Sequence, residues 1–223
     1  MAASTNPSTS SSSYTTTPQT YHTDKTSAYL LPNSSPEHDR LNTQAAHLRA
    51  IMNDQIIHSP LPPSTPNLRI LDVGCGTGIV TRDLALRFPN AEVWGLDLSD
   101  VPPPRAEDGP FPSNIKGRGL DPRSASKAHT WMAEAGFRDV VVKQYRWPFG
   151  GEWEEDEKWK AWGDYVATSM PELFWVMIGR ILEGTAGKEV VERTREQMMA
   201  DLRPEKGKEW RMSVVVGRKA GEE

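Results

Sequence analysis

The sequence predicts an α/β fold, and three observations carry that prediction. Residues 70–78, Ile-Leu-Asp-Val-Gly-Cys-Gly-Thr-Gly, join a short apolar run to glycines at 74, 76 and 78. Such a run reads as a buried parallel strand that turns sharply into a helix. A second run, Ala91 to Leu96, ends in Asp97 and reads as the next strand. Between them Ile79, Val80, Leu84 and Leu86 continue as a helix that stops at Phe88-Pro89-Asn90. Strand, helix and strand make one βαβ unit.

Spacing decides which ligand such a unit would take. A dinucleotide fingerprint, G-x-G-x-x-G counted from Gly74 and Gly76, requires its third glycine at position 79, where Ile79 stands. The third glycine comes one residue early, at Gly78, so no pyrophosphate-binding helix start is formed. Glycines at the turn still let a ligand lie against the main chain, beside the unpaired N–H groups of a helix start. Asp97 lies 23 residues past Gly74, where a second strand presents an acceptor to ribose hydroxyls. A nucleoside without phosphates, carrying a charged amino-acid tail, fits this spacing better than NAD does. Each residue also has a plainer use. A strand-end aspartate often caps a helix or closes a turn, and glycines can serve a tight turn alone.

Leu71-Asp72-Val73-Gly74-Cys75-Gly76-Thr77-Gly78, followed by Gly95-Leu96-Asp97-Leu98-Ser99, resembles the class I S-adenosylmethionine-dependent methyltransferases. Upstream, Tyr29-Leu30-Leu31-Pro32-Asn33 and Glu37-His38-Asp39-Arg40-Leu41-Asn42 resemble the lead-in helix of one subgroup, the fungal methyltransferases of secondary metabolism. That subgroup includes biosynthetic enzymes and a global regulator. Trp131 to Phe137 and Tyr145 to Gly151 are similar to its last third, so the resemblance spans residues 28–116 and 117–218. It implies a Rossmann-like methyltransferase sheet with an antiparallel last strand, truncated in the middle, plus a helical cap. It also implies S-adenosyl-L-methionine as cofactor and methyl transfer to a small-molecule natural product. A regulatory or non-catalytic relative that acts through a protein partner is the alternative. By the same resemblance, Asp72 and the backbone of Gly74 and Gly76, in the loop that Gly78 closes, would hold the methionine end. Asp97 would accept both ribose hydroxyls, Leu98 would pack on the adenine, and Tyr29 would close over the cofactor.

The chain also departs from that pattern. Each βαβ unit takes roughly 30 residues. After Asp97, residues 99–114 carry five prolines and a glycine without any periodic pattern. Ile115 and Lys116 begin a third strand, and after Gly117 to Pro122 a helix over about 123–135 follows at once. About two βα units, on the order of 60 residues, have no sequence to occupy. The suspect junction is 116/117. The first strand should then lack a neighbour, leaving ladder groups and apolar surface that need cover. Two origins fit: a mis-joined gene model or splice form, or a naturally shortened chain that pairs with a partner or has lost catalysis.

The remaining segments fill out the expectation. Twelve of residues 1–20 are Ser or Thr and none is charged, so residues 1–27 read as a disordered tail before a single domain over 28–223. Leu41, Ala45, Leu48, Ile51 and Met52 mark an amphipathic helix over 37–53, followed by a four-proline loop over 60–66. Valine-rich 139–145 and alternating 209–217 read as strands, with a helical segment over 155–206 between them. Trp147, Trp153, Trp159, Trp162 and Trp175 fall within 29 residues. They could wall a flat aromatic acceptor or pack as a helical cap; the i, i+3 spacing of Trp159 and Trp162 favours the cap.

Composition excludes several classes. A net charge of −4 without a basic run argues against nucleic acid, and no apolar stretch is long enough for a membrane span. With neither a secretory nor a transit signal, the expected location is cytoplasmic. The single cysteine, Cys75, reads as a packing residue, and five scattered histidines give no metal-ligand spacing. His38 and His129 are general-base types that spacing does not single out, so no catalytic residue is named.

Overall fold

The computed structural model describes residues 19–23, 29–99, 124–182 and 186–219. The first half contains α1 (Ser35–Ile51), β1 (Arg69–Val73), α2 (Ile79–Arg87) and β2 (Glu92–Leu96). The second contains α3 (Ser124–Glu134), β3 (Phe137–Pro148), α4 (Glu157–Leu182), α5 (Lys188–Asp201) and β4 (Glu209–Lys219). Each sequence-predicted element within the described residues is present. The long helical segment divides into α4 and α5, and β3 runs past both predicted ends. The third strand expected at Ile115 and the junction at 116/117 lie outside the described residues.

β1 and β2 pair in parallel, from Arg69 opposite Glu92 to Val73 opposite Leu96. β3 and β4 pair antiparallel, with a bulge between Arg138 and Val141. The last strand is therefore antiparallel, as the resemblance implied. Among the described residues the strands form two separate two-stranded sheets. The consequence foreseen for the first strand is visible: Val73 is 71% exposed and Leu71 56%, and Trp94 beside Leu71 on β2 is 49% exposed.

The main core sits elsewhere. Ile51 of α1 meets Phe149, just after β3, and Trp162, Tyr165, Val166, Met170 and Leu173 of α4. The α4 members recur at three- and four-residue steps, so one helical face is buried. Gly163 lets α4 approach the chain leaving β3, since a Cβ there would lie 2.4 Å from the Gly150 carbonyl oxygen. The Gly150 N–H donates to the Gly163 carbonyl at 3.2 Å, which fixes that contact. The tryptophan cluster is mostly committed to this cap. Trp162 stacks on Tyr165 with centroids 5.5 Å apart and lies 5.0 Å from Trp147.

α1 joins the two halves. On one side Arg49 pairs with Asp83 of α2 at 2.7 Å. On the other, Tyr165 of α4 donates its hydroxyl to the Arg40 carbonyl at 3.2 Å and accepts from the Arg40 guanidinium at 3.3 Å. That guanidinium forks onto buried Glu37 one turn earlier, at 2.8 and 2.6 Å. Residues ahead of the expected domain start also pack here. The Asn33 N–H donates to the Thr20 carbonyl at 2.8 Å, and the Ser34 hydroxyl donates to Gln19 at 2.7 Å.

Candidate functional site

The loop between β1 and α2 is built by left-handed glycines. Gly74, Gly76 and Gly78 have φ of +78°, +54° and +75°, a region that strains any residue with a Cβ. The loop is tied to the end of β2. The N–H groups of Gly74 and Cys75 both donate to the Leu96 carbonyl, at 2.6 and 3.0 Å. The Gly76 N–H donates to one Asp97 carboxylate oxygen at 2.8 Å, and the Ser99 N–H donates to the other at 3.0 Å. Asp97 thus closes its own turn and clamps the glycine loop.

Asp72 stands opposite Gly95 in the ladder and accepts from the Thr81 hydroxyl at 2.7 Å. That contact ties β1 to the first turn of α2, whose early N–H groups have no intrahelical acceptor. Cys75 is buried beneath the loop, and burial, followed by Asp97 and Asp72, pushes its thiol pKa up. A thiol held protonated is a packing group, not a nucleophile.

The fold gathers Asp72, Gly74, Gly76, Gly78, Asp97 and Leu98 at the C-terminal ends of two adjacent parallel strands, where ligands of such sheets bind. Tyr29 comes from the segment before α1. Burial raises its phenol pKa, with Asp97 and Glu37 adding to the shift and Arg40 opposing it. His38 is half-buried on α1, whereas His129 is exposed on α3 with Thr130 as its neighbour at 3.3 Å.

Four further residues support the site: Leu41, Asn42, Thr77 and Thr81. The Thr77 hydroxyl donates to the Asn42 side-chain oxygen at 2.6 Å, fastening the loop to α1. A Cβ on Gly76 would meet Leu41 of α1 at 3.4 Å, so the helix lies directly against the loop. Thr81 could have been found, since the first turn after a glycine loop faces the strand end.

Two observations test the fit of a nucleoside with an amino-acid arm. A Cβ built on Gly74 meets nothing within 4 Å, so space opens in front of that loop position. A carboxylate offers about four acceptor positions, and the two backbone N–H groups leave about two of those on Asp97 for a diol. The residues present fit the group.

The family model described as "Methyltransferase domain" matches residues 70–114, the stretch from β1 past Asp97. The chain resembles the class I S-adenosylmethionine-dependent methyltransferases of fungal secondary metabolism. It is 42% identical over 91 residues to the secondary metabolism regulator laeA of Aspergillus niger, covering 40% of this chain and 24% of that protein. The secondary metabolism regulator LAE1 of Cochliobolus heterostrophus is 39% identical over 100 residues, 44% of this chain and 31% of that one. The protein-methionine methyltransferase laeA of Emericella nidulans is 38% identical over 87 residues, 39% and 22% of the two chains. The matched part of this chain spans a third or less of each of these relatives. No solved structure matches. No helix among the described residues is long and apolar enough to cross a membrane.

Proposed function

We propose that the chain binds S-adenosylmethionine at the ends of β1 and β2 and takes part in methyl transfer within fungal secondary metabolism. The observation that carries this reading is the clamp of Asp97 on the Gly76 N–H, which puts an acceptor carboxylate and an open glycine loop at one strand end. In this reading Asp97 receives the ribose hydroxyls and the Leu98 side chain lies along the adenine. Asp72, held by Thr81, faces the charged amino-acid arm across the loop of Gly74, Gly76 and Gly78. Tyr29 covers the sugar side. The sulfonium supplies an activated methyl group, so the protein's contribution is mainly to hold donor and acceptor in line.

Two acceptor classes follow. A small-molecule natural product, aromatic if a tryptophan lines its site, is the expectation from sequence. A protein acceptor within a regulator is supported by the relatives' names, two of them regulators and one a protein-methionine methyltransferase. That support favours the regulatory reading. Incubation with methyl-labelled cofactor and a fungal extract separates the two: label in a protein band supports the regulator, label in the organic phase the small molecule.

Calorimetric titration with S-adenosylhomocysteine tests the binding itself. Saturable heat is expected, and Asp97→Ala should weaken it by more than about thirtyfold, the loss of roughly 2 kcal/mol of charge-assisted hydrogen bonding. A cooperatively melting sample that gives no saturable heat, or an Asp97→Ala variant that binds equally well, would overturn the assignment.

A further inference from the structure

A cavity of about 620 Å³ lies away from the glycine loop, between β3, β4 and the segment that follows α1. Its size is within the range of small-molecule sites. Leu61, Val141 and Val216 line it with apolar surface, and Val141 is 61% exposed. Lys143, Arg218 and Lys219 line it with positive charge. The bulge in β3 shapes the wall: Asp139, also in the lining, has φ of +53°, and the ladder resumes only at Val141. Bulges of this kind re-aim the side chains beside them.

The charge around the cavity is unbalanced. Among the described residues of the lining, Asp139 is the one carboxylate, against three cations. Lys143 reaches the neutral side-chain oxygen of Gln55 at 3.4 Å and sits over the Tyr145 ring, 5.1 Å from its centroid. None of Lys143, Arg218 and Lys219 has an acidic partner among the described residues. The Tyr145 hydroxyl lies 3.4 Å from His58 Nε2, giving a polar pair beside Lys143 at one end. Burial and the positive charge of Lys143 both lower the His58 pKa. An apolar floor under a positively charged rim complements an apolar body that carries one negative head.

We propose that this cavity is a binding site for an amphipathic organic anion, an aromatic or aliphatic acid whose apolar body covers Val141 and Val216 while its carboxylate is held by the cations that line the cavity on either side of that pair. The site is separate from the cofactor reading and does not depend on it. The ligand class follows from the lining alone: a neutral apolar molecule would leave the cations without a partner, and a small inorganic anion would leave the floor uncovered.

Titration of the full chain with naphthalene-2-carboxylate, followed by calorimetry and by amide NMR shifts, tests the assignment. Saturable binding is expected, with shifts confined to residues around His58, Val141 and Val216. The neutral methyl ester, Lys143→Ala and Arg218→Ala should each bind about fivefold more weakly, the factor that about 1 kcal/mol of exposed charge pairing represents. All these side chains are exposed, so the variants should melt as the parent does; Val141→Asp, placing a charge on the floor, should abolish binding. Prior saturation with S-adenosylhomocysteine should change nothing. An absence of saturation, equal affinity for acid and ester, unweakened binding by the charge variants, or shifts centred on Trp94 would each overturn the proposal.

Discussion

The region around the glycine loop and the region around α4 bury themselves by different means. At the loop, hydrogen bonds do the organising: three successive N–H groups, from Gly74 to Gly76, find acceptors at the end of β2. Yet the apolar faces of those strands stay open, with Val73 71% exposed. Around α4 the balance is reversed, since Trp162 and Val166 are wholly buried within an aromatic and aliphatic core. A hydrogen bond contributes about 1 kcal/mol net, whereas a fully buried large side chain contributes roughly 1.5–3 kcal/mol. The loop therefore has precise geometry with little stability of its own. The cap has the stability, and α1 lends it to the loop through Arg40, Asn42 and Arg49.

Removing the centre of the stable region should have the largest effect. Trp162→Ala is expected to cost about 3–5 kcal/mol and to remove the cooperative thermal transition, because the cavity cannot collapse between Tyr165 and Trp147. A variant that still melts sharply at the parent temperature would show that the cap is not where stability resides.

The next largest effect tests the link. Glu37→Ala leaves the Arg40 guanidinium buried without its carboxylate, at a cost of about 3 kcal/mol. Urea unfolding should reveal that loss, and S-adenosylhomocysteine binding should weaken with it, because α1 also holds the loop through Asn42 and Thr77. If stability falls while affinity is untouched, α1 does not couple the two regions.

The smallest effect sharpens the contrast. Leu71→Thr combined with Val73→Thr keeps strand-forming residues on β1 while removing exposed apolar surface. Stability should change by no more than about 0.5 kcal/mol per site, and light scattering should show less self-association. A large destabilisation would mean that these side chains are covered in solution.

Much of the site was legible because it is local. Three glycines in five residues, an aspartate two before them and another ending the next strand are fixed by chain spacing, and the βαβ unit brings them together. The Asp72–Thr81 contact and the Asp97–Gly76 clamp were not written in that spacing, because hydrogen-bond partners depend on the turn the backbone adopts. Packing by residues ahead of 28 was also hidden, since the Ser- and Thr-rich composition carries no signal for the bonds that Gln19 and Thr20 make.

The sequence by itself determined the α/β class, the strand–loop–strand order around Gly74 and the missing cover on β1. Those features follow from periodicity, glycine placement and chain length, which act over a few residues at a time. Only the tertiary structure decided that Glu37 and Arg40 would be buried against Tyr165, and that the tryptophans would mostly pack the cap. It also decided that three cations would line a partly apolar cavity between β3, β4 and the segment beyond α1. Such contacts join residues far apart in the chain, and burial or charge imbalance exists only once the elements have met.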